Sequence, residues 1–167
     1  MTDGSALLAA MTWGFRANGS WHEQRGTNLL DTGAPFYDTY ETADGHSVAI
    51  GCIEPQFYAA FRRAAGIDRD PLFDTQEDRS LWPAQKAALE SLFRQRTRDE
   101  WCEAFAGYDA CFSPVLSMTE ALADPHNLRR ATFIEVDGWQ QPAPAPRYSK
   151  TPCGVPAPVP VPGADNQ

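Results

Sequence analysis

Residues 37–66 read YDTYETADGHSVAIGCIEPQFYAAFRRAAG, and this stretch decides the fold class. Residues 37–42 and 46–52 predict two strands, and Ala43-Asp44-Gly45 between them is a good hairpin turn. Val48, Ile50 and Cys52 alternate, so one face of the second strand is expected to be buried. At Pro55 the pattern changes. Proline suits the first position of a helix, because its missing N–H would have no partner there anyway. The run EPQFYAAFRRAAG therefore predicts a helix that ends at Gly66.

Helices surround this hairpin in the sequence. Residues 3–17 predict one helix, capped by Asp3 or Ser5 and stopped by Asn18-Gly19. Its apolar positions Leu7, Leu8, Met11 and Phe15 recur at three- and four-residue spacing, so one face calls for a partner. A further helix is expected over about 81–95. Two more begin at the capping boxes Thr97-x-x-Glu100 and Ser117-x-x-Glu120. The turn Asp124-Pro125-His126 follows, and then a last strand over 132–136. The order is mixed α+β. Eight of the 14 prolines lie between Pro142 and Pro162, a stretch that sustains neither helix nor central strand and favours an extended path. The folded unit is therefore expected to end near Gln140.

Composition narrows the function classes. With 43% hydrophobic and 22% charged residues, the 167-residue chain can bury a core and is not wholly disordered. Its formal net charge of −8 argues against nucleic-acid or anionic-membrane binding, since both call for a basic face. The longest apolar run, residues 6–11, is far shorter than the roughly 20 residues that span a bilayer. Residues 1–5 carry no basic leader region. Cys52, Cys102, Cys111 and Cys153 are widely spaced, which fits reduced thiols in the cytoplasm better than a disulfide framework or a zinc site. No metal site is expected.

Glycine-rich nucleotide loops, a nucleophile elbow and zinc-protease spacing are all missing from the sequence. His22, His46 and His126 are scattered, and each reads as a surface or capping residue. One carboxylate stands apart. Glu54 falls between the second strand and Pro55, at an N-cap where Ser, Thr, Asp or Asn is usual. The helix dipole favours its ionised form, making it a fixed anion at a sheet edge. The alternative is an ordinary acid tolerated at a positive helix end.

Three blocks carry a resemblance: RGTNLLDTGAPFYDTYETADGHSVAIGCIEPQFYAAF at 25–61, DACFSPVLSMTEALADPHNLRRATF at 109–133 and APRYSKTP at 145–152. They resemble, in order, the racemase branch of the family III (CaiB/BaiF-type) CoA-transferases. The resemblance implies the small α+β domain of that fold over 25–140. It also implies a helix leaving a large doubly wound domain over 1–24 and a proline-rich return segment over 141–167. The large Rossmann-like domain is not in these residues. In that family two chains interlock as a dimer, with the active site between the large domain of one and the small domain of the other. By the same resemblance Glu54 orients the catalytic histidine, while Leu30, Tyr37 and Ile53 line the acyl path. The expected substrate is an acyl-CoA, with no cofactor beyond the CoA it carries. The expected partner is a second copy or a complementary large-domain chain. The family's catalytic histidine and aspartate lie upstream of the matched region. The chain is thus expected to be part of an acyl-CoA racemase, inactive without that half. The alternatives are half of a CoA-transferase, or a non-catalytic assembly or acyl-binding remnant.

Overall fold

The structure, a computed structural model, describes residues 1–156 and 162–163. The chain divides into two units, Met1–Val115 and Leu116–Gln167.

In the first unit the predicted hairpin forms. Strands β1 (Tyr37–Glu41) and β2 (Ser47–Gly51) pair antiparallel, with Tyr40 opposite Val48. Gly45 takes the left-handed conformation, φ 76°, that closes the turn. Helix α3 (Pro55–Ala65) starts at Pro55 and ends on Gly66 in the left-handed region, as its sequence requires. Helices α4 (Trp82–Phe93) and α5 (Arg98–Phe105) follow, α5 behind the complete Thr97/Glu100 capping box. A short strand that the sequence reading left out, β3 (Phe112–Val115), joins the other side of β2 and makes it central. Pro114 is tolerated there because β3 is an edge strand.

Alternation sorts the sheet into two faces. Tyr40, Val48 and Ile50 lie on the face covered by α3, α4 and α5, in a core with Phe61, Phe93, Trp101 and Phe105. Tyr40 stacks on Phe93 with ring centroids 5.1 Å apart, and Phe93 meets Trp101 edge-on at the same distance. Two aromatic polar tips inside this core find backbone partners. Trp101 Nε1 donates to the Phe93 carbonyl at 2.9 Å, and the Tyr40 hydroxyl donates to the Pro35 carbonyl at 2.6 Å.

The N-terminal helix differs from expectation. It is two short helices, α1 (Thr2–Leu8) and α2 (Ala10–Ala17), that meet at Ala9. The N-cap is Met1, without a side-chain bond, so neither Asp3 nor Ser5 caps it. Ser5 sits inside α1, and its hydroxyl donates back to the Met1 carbonyl at 3.2 Å. Neither helix buries a residue, and Leu8 is 90% exposed, so no packed face here enforces one straight helix.

The second unit holds α6 (Met118–Ala123), behind its own complete capping box, and α7 (Pro125–Arg130). The predicted turn at Asp124 is a helix start. The Asp124 carboxylate accepts from the Asn127 N–H at 2.9 Å, with Pro125 at the first position. The expected last strand, β4 (Phe133–Val136), pairs with β5 (Trp139–Pro142) around Asp137-Gly138, both at positive φ. The fold thus continues past Gln140. The Ala143 N–H donates to the Thr132 carbonyl at 2.9 Å, and the Arg147 guanidinium binds the Arg130 and Ala131 carbonyls. Within the expected return segment, residues 157–161 and 164–167 lie outside the described residues.

Candidate functional site

The second face of the three-stranded sheet carries the small residues of the hairpin. Because Val48 and Ile50 point into the core, Ala49 and Gly51 point the other way, alongside Tyr37 and Thr39 of β1 and Ser113 of β3. These side chains floor an open groove of about 430 Å³, which Leu30 and Thr32 wall from the preceding loop. Tyr37, 40% exposed, lies over Gly51, where an added Cβ would stand 3.7 Å from the ring. The groove is shallow, mostly apolar in lining and open to a long flexible chain.

The wall is held by a compact loop. Asn28 is fully buried, and its side-chain amide donates to the Asp31 carboxylate at 2.7 Å and to the His22 carbonyl at 3.0 Å. The His22 N–H donates to Asn28 Oδ1 at 2.7 Å. The backbone N–H groups of Asn28 and Gly26 donate to Asp31 at 2.7 and 3.1 Å. Partial burial alone would raise the Asp31 carboxyl. Hydrogen bonds from Asn28, Gly26 and Gly33 outweigh it and hold the group below its ordinary value.

Glu54 stands at the N-cap of α3 with an extended backbone, φ −73° and ψ 142°. Its carboxylate makes no cap bond and is exposed, so the helix end does not consume it. The junction beneath it is fixed from elsewhere. The Gln76 side-chain amide donates to the Cys52 carbonyl at 3.0 Å and to the Ile53 carbonyl at 2.9 Å. The Cys52 N–H donates to the Phe36 carbonyl at 3.1 Å. Glu54 is therefore an uncommitted anion on a rigid base.

Of the four residues singled out from the sequence, Leu30 and Tyr37 come together in the groove. Ile53 does not line it and packs against the core. Glu54 is not in the lining but lies within electrostatic reach of it. The groove thiol of Cys111 is raised by partial burial first, then by Asp109, then by the Glu54 charge. Burial pushes Cys52 up to about 12, so that thiol is inert. Sequence reasoning missed Ala49, Gly51, Ser113 and Gln76. The alternation that named Val48 and Ile50 as core also named the opposite face, which is where the first two could have been found. Among the described residues no cluster of histidine, cysteine and carboxylate side chains is placed to hold a metal. No described helix is long and apolar enough to cross a membrane.

Residues 1–166 match CoA-transferase family III. The chain belongs to that family. Among family III proteins, it is 46% identical over 154 residues to alpha-methylacyl-CoA racemase of Mus musculus and 40% identical over 153 residues to that of Homo sapiens. Each match covers 91% of this chain and 40% of the relative, so the chain spans about two fifths of their length. A CaiB/BaiF CoA-transferase family protein of Caenorhabditis elegans is 32% identical over 123 residues, covering 71% of this chain and 33% of the relative. The fold of this family III chain matches a CaiB/BaiF family protein from Brucella suis, with TM-score 0.64 and 22% identity, over 94% of this chain and 42% of that one. It also matches a hypothetical protein from Mycobacterium tuberculosis, with TM-score 0.67 and 19% identity, over 98% and 44%. The mixed helices and small antiparallel sheets are those of the family.

Proposed function

We propose that this family III chain supplies the acyl-binding side of an active site that racemises 2-methylacyl-CoA thioesters. The observation that carries the reading is the groove, in which Leu30 and Tyr37 meet over a small-residue floor with the uncommitted Glu54 nearby. Identity of 46% to a racemase relative supports the choice of reaction.

Racemisation removes the α-proton, delocalises charge into the thioester carbonyl as an enolate, and returns a proton to either face. It therefore needs acid/base groups on both sides of the α-carbon and donors for the developing oxyanion. The groove offers neither acid nor base. Asp38, in its lining, is committed to an ion pair with Lys86, and Cys111 is held as a thiol. No histidine lines the groove. The proton-transfer pair thus comes from a large domain of the family's kind, brought by a complementary chain. Glu54 receives its histidine, orients the ring and stabilises the imidazolium. The substrate brings its own CoA, and the mechanism calls on no other cofactor. Four cysteines without a disulfide support a reducing, cytoplasmic setting. A second reading, a CoA-transferase half, is favoured by the worm relative's name. It would use the same groove, with a partner's carboxylate as nucleophile.

Titrating the isotope-labelled chain with a long-chain 2-methylacyl-CoA and, separately, with free CoA tests the groove. Amide shifts at Leu30, Ala49, Gly51 and Ser113 are expected with the acyl-CoA and not with CoA. Equal responses to both, or a silent groove, would refute the acyl-binding reading.

A further inference from the structure

We infer that Lys86, on the far side of the sheet from the groove, is a positioning residue that sets the groove's width. The inference rests on the acyl-binding reading and adds a specificity determinant to it. Lys86 projects from α4 and makes two contacts. Its Nζ donates to the Thr32 carbonyl at 2.7 Å, 54 residues away in sequence, and it forms an ion pair with the Asp38 carboxylate. Thr32 and Asp38 belong to different walls. Thr32 sits in the loop that carries Leu30, and Asp38 follows Tyr37 on β1. One ammonium therefore ties the loop to the strand from the sheet's other side.

Two features show that the tie holds something. Thr32 has φ 72°, a left-handed conformation that a β-branched residue adopts only under constraint. The Asn28–Asp31 network binds the loop to itself, whereas the Lys86 bond anchors the Thr32 carbonyl to the body of the unit. The Asp38 side chain is only 9% exposed, and Lys86 is the cation paired with it there. Without Lys86 the Thr32 backbone has a reason to relax, and Leu30 would move away from Tyr37. A wider groove grips thin and thick acyl chains more equally, so the consequence is lost discrimination and not lost chemistry.

The experiment compares the wild-type chain with Lys86→Arg and with the double variant Lys86→Met/Asp38→Asn. The double variant avoids stranding a buried charge, so it keeps the test apart from simple misfolding. Amide hydrogen exchange is read at residues 30–33, and binding constants are read for a 2-methylacyl-CoA and its straight-chain counterpart. In the double variant, exchange at Gly33 is expected to rise about tenfold or more while core amides such as Phe61 hold. Discrimination between the two ligands is expected to fall about threefold or more, and Lys86→Arg to restore most of it. Unchanged exchange and discrimination would overturn the inference, as would uniformly faster exchange across the unit. If the wild-type chain binds neither ligand, the acyl-binding reading fails and the selectivity claim with it. Exchange at Gly33 would then still decide whether Lys86 holds the loop.

Discussion

Gly33→Ala is expected to melt roughly 10 °C or more below the wild-type chain, the largest stability loss predicted for a single methyl group here. The reason is close approach, not backbone conformation. A Cβ at Gly33 would stand 2.5 Å from the backbone N and O of Asn28 and from the Thr27 carbonyl carbon. Backbone atoms cannot swing aside as a side-chain tip would. Asn28 is moreover held by the Asp31 and His22 bonds, and the Gly33 N–H itself donates to the Asn28 carbonyl at 3.0 Å. Overpacking against such a fixed neighbour costs on the order of 3 kcal/mol, the upper end of the usual range. The control is Gly14→Ala in α2, where an added Cβ meets nothing within 4 Å and helix propensity favours alanine. Thermal melts of the pair check the claim. If both variants melt alike, the packed-loop account is wrong.

Glu54→Gln should cut turnover about 10- to 150-fold in an assembly that racemises, while leaving stability within about 0.5 kcal/mol. Glutamine keeps the size and an acceptor. The carboxylate makes no cap bond whose loss would fray α3, and Gln76 holds the junction independently of it. What disappears is the negative charge facing an imidazolium, an interaction worth about 1.5–3 kcal/mol. Paired turnover and melting measurements separate the outcomes. Unchanged turnover makes Glu54 an ordinary acid at a helix start, and a large loss of stability makes it structural.

What could be read from the sequence was local. The hairpin, the start of α3 at Pro55, its stop at Gly66 and both capping boxes each depend on residues within four positions of one another. β3 was not legible. It is four residues long, contains Pro114 and follows Cys111 at φ 48°, and only pairing with β2 makes it a strand. β5 hid at the edge of the proline-rich stretch that opens with its own Pro142, and α7 behind an Asp-Pro step that reads equally as a turn. The candidate site divides in the same way. Leu30 and Tyr37 could be named from a resemblance, but Gln76 under Cys52 and Lys86 against Thr32 are contacts across 24 and 54 residues. No sequence period reports such distances.

The most direct test supplies what the groove lacks. The chain is combined with the part of the mouse racemase that it does not match, and deuterium incorporation at the α-carbon of a 2-methylacyl-CoA is followed in deuterated water. The account predicts no exchange by either component alone and clear exchange by the two together. Exchange by the pure chain would contradict it, as would a folded, associated pair that leaves the α-proton in place.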